Sequence, residues 1–546
     1  MTRRGRDALL DVLDSEGVTH LFGNPGTTEL PLIDALAGRP DLHYVLALQE
    51  ATVVGMADGY AQATGRPAFV NLHTAAGLGN AIGNLTNAKA NGTPLVVTAG
   101  QQDRRHLVAD PLLSGDLVGM ARPVVKWAHE VRHPGELGTI LRRAFADAAT
   151  PPTGPVFVSI PSDVLDEESD APVPTPSVID RRTVPVPAAL DELAALLADT
   201  APGKLALVAG DEVAMSGAVD ALVAVAEALG APIHASPLHG SLVAPPTHPL
   251  FAGPLPPSAQ PMAAILGAYD RVFLVGAQPF LVYPYTPGPP LPHHVELLHL
   301  SPDSTHVGRT FPVRLGLTGD PRASLEALLP RLPRRGVPED LRAKRKAELA
   351  NLEETALARY DALPMHPMAA VHALLRALRP ETPVVDEAIT AGSYVRGFHH
   401  ATKPGRYFFG RAGGLGWGMP AALGVSLAYG REPVLCAVGD GSAMYSPQAL
   451  WTAAAEHLPV VFAVLDNRQY LILKRGLRDR HDAADQTGRS VGMDLDRPPV
   501  DFVSLAAGMG VPALRVEKAG DVGDAVRAAV DAGGPHLLEL PVSASL

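Results

Sequence analysis

The feature that most constrains this chain is a short apolar run, repeated, that does not alternate with polar residues. "THLFGNPG", "PAFVNLH", "PLVVTAG" and "PVFVSIP" lie in the first third. "KLALVAG" and "RVFLVGA" lie in the middle, and "PVVDEA", "PVLCAVGDG", "PVVFAVLDN" and "PHLLELPV" in the last third. A strand with one wet face alternates apolar and polar side chains. A strand covered on both faces is apolar throughout, and such strands belong to parallel sheets flanked by helices. Helical segments such as "DELAALLADT" and "ALWTAAAEHL" lie between many of the runs. The alternation predicts an α/β architecture of doubly wound parallel sheets.

A chain of 546 residues is too long for one core and predicts roughly three domains. Two segments rich in proline and charge read as joints: 162–187, "SDVLDEESDAPVPTPSVIDRRTVPVP", and 329–341, "LPRLPRRGVPEDL". They divide the chain into parts near 1–165, 185–330 and 355–546. The net charge of −12, with no long basic run, argues against nucleic acid as a partner. The single cysteine, Cys436, excludes an intramolecular disulfide and a CxxC metal site. It sits inside an apolar run and reads as buried filler. No uncharged apolar run reaches about 18 residues, so no membrane span is expected. The N-terminus, "MTRRGRDALLDVLDSEG", lacks the apolar core of a signal peptide, which makes the cytoplasm the expected location.

In open parallel sheets, ligands sit beyond the carboxyl ends of the strands. "FGNPGTTELP", "NLHTAAGLGN" and "GDGSA" fall there. A glycine on each side of Asp440 is by itself an ordinary tight turn. Its context is "GDGSAMYSPQALWTAAAEHLPVVFAVLDNRQY", a strand, turn, helix and second strand, with Asn467 27 positions after Asp440. One βαβ step sets the ends of two parallel strands side by side, so the Asp440 carboxylate and the Asn467 amide oxygen can converge. These are hard oxygen donors, suited to Mg²⁺ bridging phosphates. The glycines permit close backbone approach, and the following helix start offers N–H groups to an anion.

This pattern resembles the thiamine-diphosphate-binding motif, whose usual ending is two Asn; here it is Asp466-Asn467. "LALQEATVVGMADGYAQATGRPAFVNLHTAAGLGNAIGNL" resembles the pyrimidine-binding domain of the same enzymes, and "AGGLGWGMPAALG" the stretch before the GDG strand. Similar patches run through nearly the whole chain, weakest in the central third, and are closest to the benzoylformate decarboxylase type. The resemblance implies pyrimidine-binding, central and diphosphate-binding domains in that order. It implies Mg²⁺ on Asp440, Asn467 and the backbone carbonyl of Gln469. It implies Glu50 against the aminopyrimidine, and Asn24, Pro25, Thr390, Gly414, Leu415, Gly441, Ser442 and Tyr470 along the cofactor. Leu415 would hold the cofactor bent.

The implied reaction is non-oxidative decarboxylation of a 2-oxo acid to an aldehyde, through a carbanion and enamine at C2 of the cofactor. Thr27 stands where these decarboxylases carry a serine that contacts the substrate carboxylate, and it keeps the hydroxyl on a stiffer side chain. His73 matches an active-site histidine with a proton-transfer role. A second histidine, from the central domain, is replaced by Tyr283 in "GAQPFLVYPYTPG". A phenol with pKa near 10 shuttles protons poorly at neutral pH; His293 and His294, about ten residues on, are its alternatives. Slower protonation of the enamine would favour carboligation of the acetolactate-synthase-like or acyloin-forming type, the second reading. Ile472 and Gly476 stand where the relative carries a small residue and an aromatic one. His399-His400 lies in the last third, unlike the adjacent histidines of pyruvate decarboxylases.

The resemblance also implies a homodimer or homotetramer, with the cofactor between the first domain of one chain and the third of another. A dinucleotide oxidoreductase is a weaker alternative: "GLGNAIG" and "GGLGWG" have the wrong glycine spacing, and no acid is placed for a ribose. A catalytically silent binding protein is a further alternative, opposed by Glu50 and the intact Asp440/Asn467 pair.

Overall fold

The computed structural model describes residues 2–480 and 483–544; the parts of the expected ranges 1–165 and 355–546 that fall on residues 1, 481–482 and 545–546 lie outside it. Its framework is three six-stranded sheets in which every neighbouring pair is parallel. The first holds β1 (His20–Gly23), β2 (His43–Leu46), β3 (Ala68–Leu72), β4 (Leu95–Gln101), β5 (Ala128–Glu130) and β6 (Val156–Pro161), in the order β2-β1-β3-β4-β6-β5.

The second holds β7 (Leu205–Ala209), β8 (Ile233–Ala235), β9 (Phe251–Pro254), β10 (Arg271–Val275), β11 (Glu296–Ser301) and β12 (Leu315–Thr318), in the order β9-β8-β7-β10-β11-β12. The third holds β13 (Val384–Glu387), β14 (Tyr407–Phe409), β15 (Val434–Gly439), β16 (Val460–Asp466), β17 (Ala513–Arg515) and β18 (His536–Pro541), ordered β14-β13-β15-β16-β18-β17. The first and third sheets thus share one topology, and the fold is the expected doubly wound α/β class.

The apolar runs became strands because both their faces are covered. Every residue of β4 and of β16 is buried. The dinucleotide alternative loses its loop here, since "GLGNAIG" lies inside the helix Thr74–Asn91. Residues 170–186 run without helix or strand between the first and second sheets. The second proline-rich stretch ends in the first turn of the helix Glu339–Leu357, whose one buried residue is Ala356 and which leads to the third sheet. Cys436 is buried in β15, where burial lifts its thiol pKa.

Four helices position the site: α1 (Glu50–Thr64), α2 (Thr74–Asn91), α3 (Gly418–Ala428) and α4 (Leu471–Arg480). Helices α1 and α3, from the first and third domains, cross at backbone contact. A Cβ on Gly424 would lie 1.9 Å from the Met56 carbonyl oxygen, and one on Gly59 2.2 Å from that of Ala421. Asp58, fully buried in this crossing, accepts hydrogen bonds from Trp417 Nε1 (2.7 Å), Asn91 Nδ2 (3.0 Å) and Gln62 Nε2 (2.9 Å). The central domain docks on the third through Phe409 N to Gly240 O (3.0 Å) and the Arg411–Asp211 ion pair (3.0 Å).

Because the obstacle at Gly424 is backbone, Gly424→Ala must separate the helices. We expect it to lower stability by about 3 kcal/mol, read as a drop in the urea midpoint. An unchanged midpoint would show that the crossing yields easily.

Candidate active site

One half of the site is built at the carboxyl ends of β1 and β3. The Gln49 side chain accepts from the backbone N–H groups of Ala51 and Thr52, which starts α1 at Glu50. Glu50 is 8% exposed and its carboxylate takes two neutral donors, Asn24 Nδ2 on Oε1 (3.2 Å) and Asn80 Nδ2 on Oε2 (3.0 Å). Gly77 permits the close approach of this carboxylate to α2, since a Cβ there would lie 3.1 Å from Glu50 Oε1.

His73 caps α2, and its Nδ1 lies 2.9 Å from Glu29 Oε2 and 3.2 Å from Thr28 Oγ1. Glu29 is buried. Its Oε1 accepts from Thr28 Oγ1 (2.7 Å) and Gly100 N (3.0 Å), and its Oε2 from Gly26 N (2.9 Å). A carboxylate so loaded can only accept, so the network assigns the hydrogen to Nδ1 and leaves Nε2 as the free nitrogen. Gly26 lets the imidazole lie on the loop, since a Cβ would fall 2.2 Å from Nδ1. Thr74 next to it has φ 49°, a left-handed conformation unfavourable for a β-branched residue and held by its surroundings. Thr27 and Pro25 are exposed on the same loop, while Thr28 is locked inward.

The other half lies at the ends of β15 and β16, neighbours with Gly439 opposite Leu465. Asp440 is buried; Oδ1 accepts from Gly441 N (2.8 Å) and Oδ2 from Arg468 N (2.6 Å). Asn467 Oδ1 accepts from Gln469 N (3.1 Å). Residues 493–495 brace the loop through Tyr470 N to Met493 O and Leu495 N to Arg468 O, both 2.8 Å. Tyr470 covers Gly441, where a Cβ would lie 2.5 Å from its ring. Burial, with the Asp466 carboxyl alongside, pushes Asp440 up to about 7. Ser442 is buried in the short helix Asp440–Ala443.

The loop 410–417 carries half-buried Leu415. Gly414 exchanges two bonds with the Asn87 amide, N to Oδ1 (3.1 Å) and Asn87 Nδ2 to O (3.0 Å). Asn84 Nδ2 donates to Gly416 O (3.5 Å). Buried Glu387, at the end of β13, accepts from the N–H groups of Trp417 and Gly418, both at 3.1 Å, and burial pushes it up to about 7. Thr390 is half-buried just beyond it.

Tyr283 is 71% exposed on a central-domain loop. His293 and His294 are exposed, and His294 Nε2 meets Gly267 O at 3.2 Å. His399 is buried against Tyr407 and bonded to Arg406 O; burial lowers it to about 4, the state of a packed neutral imidazole. Glu29, Asn80, Asn84, Asn87 and Glu387 escaped the sequence reading. The four asparagines at 80, 84, 87 and 91 repeat at helical spacing, which was a visible signal.

Comparison with known proteins bears on this geometry. Three models of thiamine pyrophosphate enzymes match the chain: the N-terminal TPP-binding domain over residues 3–119, the central domain over 190–328 and the C-terminal TPP-binding domain over 390–540. Benzoylformate decarboxylase of Pseudomonas aeruginosa is 36% identical over 546 residues, covering 98% of each chain. The chain belongs to the thiamine pyrophosphate enzymes. The crystal structure of benzoylformate decarboxylase from Polynucleobacter necessarius superposes with a TM-score of 0.90 at 31% identity, over 100% of this chain and 99% of that one. Acetolactate synthase isozyme 3 large subunit of Escherichia coli is 28% identical over 540 residues, 94% of this chain and 89% of that one.

The residues present fit a bound thiamine diphosphate. Glu50 is a buried carboxyl whose donors are neutral amides, lying against Gly77, which has no side chain. Asp440 and Asn467 lie at the ends of adjoining strands β15 and β16, and with the Gln469 carbonyl they offer only oxygen donors, the kind hard cations take.

The Asn87→Ala variant strips Gly414 of both its amide partners. We expect thiamine diphosphate to bind about ten-fold more weakly and stability to fall by about 2 kcal/mol, read by calorimetric titration and urea unfolding. Unchanged cofactor affinity would show that the loop holds its position without α2.

Proposed function

We propose that this thiamine diphosphate enzyme decarboxylates an aryl or branched 2-oxo acid of the benzoylformate kind to its aldehyde, with Mg²⁺ as the cation. The observation that supports it most is that buried Glu50, held by Asn24, and the Glu29–His73 couple stand at the ends of strands of one sheet, in a chain 36% identical to a benzoylformate decarboxylase over 98% of its length. Bound thiamine diphosphate would supply the nucleophile for the 2-oxo carbon and the sink for the electron pair that CO₂ leaves behind.

The chain's own residues do the rest. Glu50 keeps a carboxyl out of water, held by Asn24 and Asn80, ready to hold or give a proton. His73, with Nδ1–H tied to Glu29, accepts and returns a proton at Nε2. Thr27 offers its hydroxyl to the substrate carboxylate. Ile472, 47% exposed at the start of α4, narrows the acyl pocket, and Gly476 one turn on opens it. The Tyr283 phenol donates a hydrogen bond from the central domain. Asp440, Asn467 and the Gln469 carbonyl hold the Mg²⁺.

A second copy of the chain completes the site. Large apolar side chains near its elements are exposed in one chain: Leu112 at 85%, Leu473 at 51% and Leu48 at 46%. A homodimer or homotetramer covers them. Among the described residues no helix is long and apolar enough to cross a membrane, which accords with a cytoplasmic enzyme.

Carboligation is the second reading, favoured by the phenol of Tyr283 and by the acetolactate synthase relative. Incubation with thiamine diphosphate, Mg²⁺ and benzoylformate, with and without an acceptor aldehyde, separates the two by NMR of the products. Benzaldehyde at a catalytic rate in both tubes is the expected outcome. A 2-hydroxy ketone in place of benzaldehyde would favour the carboligase, and no CO₂ from any aryl or branched 2-oxo acid would sink the decarboxylase.

Two variants probe the roles. Glu50→Gln is expected to lose turnover by on the order of 10²- to 10³-fold while still binding cofactor. Glu29→Gln, which offers an amide where His73 needs an acceptor, is expected to lose on the order of 10²-fold. Wild-type rates in both would remove these residues from the mechanism.

Cation binding carries a pH signature. Asp440, pushed up to about 7, must give up its proton to bind Mg²⁺. The Mg²⁺ midpoint should therefore fall as pH rises from about 6 to 8 and level off above. A flat profile would mean that Asp440 is already ionised in the cation-free protein.

A further inference from the structure

The cation loop carries one departure from the motif it resembles, and a charged side chain two residues on touches it. Asp466, in place of the usual first Asn, ends β16 with its side chain 3% exposed, and its carboxyl shares one donor, the Arg468 N–H, with that of Asp440. Two carboxyls side by side in a buried site repel when both are ionised. Two residues on stands Arg468. Its guanidinium Nε lies 3.4 Å from Asp466 Oδ2. Its backbone N–H donates to Asp440 Oδ2 (2.6 Å) and to Asp466 Oδ1 (3.1 Å). Residue 468 therefore contacts both carboxylates by its main chain and one by its side chain.

The backbone makes the choice of arginine informative. Arg468 has φ 58°, a left-handed conformation that a glycine takes freely and a side chain takes at a cost of about 1 kcal/mol. A glycine would keep both N–H bonds and relieve the strain. What it would lose is the guanidinium. The chain accepts an unfavourable conformation at a position from which a cation reaches Asp466 while the main chain serves Asp440.

We propose that Asp466 and Arg468 are one charge-balanced unit behind the cation site, in which Arg468 is the positioning residue that cancels the negative charge Asp466 adds. With both present the loop carries the charge of Asp440 alone. Without Arg468 the site is too negative: it grips Mg²⁺ and repels the diphosphate. Without Asp466 it is too positive for Mg²⁺. The inference rests on the reading that Mg²⁺ and thiamine diphosphate meet at Asp440 and Asn467.

The two single variants must then move Mg²⁺ affinity in opposite directions. Asp466→Asn keeps the acceptor for the Arg468 N–H and should raise the Mg²⁺ midpoint, on the order of five-fold for a half-exposed partner charge. Arg468→Gly fits the left-handed backbone, keeps the loop folded and should lower the midpoint by a similar factor while weakening thiamine diphosphate binding. The double variant should return near wild type, and Arg468→Lys should stay near it. Both shifts should shrink in high salt.

The readout is the Mg²⁺ concentration at half of the thiamine-diphosphate-dependent rise in melting temperature, measured without substrate on the full-length protein. Opposite shifts with recovery in the double variant support the unit. If Arg468→Gly weakens Mg²⁺ binding as Asp466→Asn does, or neither variant moves it, the pair is structural only and the proposal is overturned. A wild-type protein whose thiamine diphosphate binding ignores Mg²⁺ would instead overturn the functional reading beneath it.

Discussion

The contact on which the rest depends is the crossing of α1 and α3. Two helices from different domains touch main chain to main chain because Gly59 and Gly424 have no Cβ to keep them apart. Such an approach cannot slide: the side chains around it fit only one register. Asp58 fixes that register from inside, since its buried carboxyl is satisfied by Trp417 of one domain and Asn91 and Gln62 of the other. A shift of register that removed the Trp417 donor while Asp58 stayed buried would cost about 1–3 kcal/mol. The glycines permit the contact and the carboxyl makes it specific.

The same device recurs wherever a loop must be held. Glu29 gathers Gly26, Thr28, Gly100 and His73. Glu387 gathers Trp417 and Gly418. Asp440 gathers Gly441 and Arg468. Each is a buried acid at or near a strand end, and each collects main-chain N–H groups from a turn that has no ladder to join. Burial raises Glu387 and Asp440 to about 7, so these anchors are poised between charge states near neutrality. The sign is that of raised carboxyls. Their stabilisation is complete below about pH 4 to 4.5, the unfolded range, and is lost as pH rises through about 7. A cation held at Asp440, as proposed, would reverse this locally, because it demands the ionised form.

What was legible in the sequence follows from range. Strands buried on both faces announce themselves in a handful of consecutive residues, and the runs read as strands, from "THLFGNPG" to "PHLLELPV", are strands in the structure. The short strands His43–Leu46, Ala128–Glu130 and Ala513–Arg515 gave no such run. They lie at sheet edges, where one neighbour suffices and exposed positions dilute the pattern. Asp440 and Asn467 were legible because one βαβ step joins them. Glu29 was not, although it lies two residues from Thr27. Its partners come from positions 73 and 100, and a glutamate in "TTELP" looks like a solvated helix start until a second strand is laid over it.

Helix α2 ties these pieces together. Its four asparagines lie along one face. Asn80 reaches Glu50, Asn84 reaches Ala51 O and Gly416 O, Asn87 clasps Gly414, and Asn91 joins Asp58 to the main chain of Arg411. An amide both donates and accepts, so it can bridge main chains from two domains where a carboxylate, which only accepts, could do half. One rigid helix thus holds the acid that faces the first domain's share of the site and the loop that carries Leu415 in the third domain's share. The α1–α3 crossing fixes how far apart they stand. The 410–417 loop and the Asn80 donor on Glu50 are therefore held by one helix a few turns apart, with no loop between them.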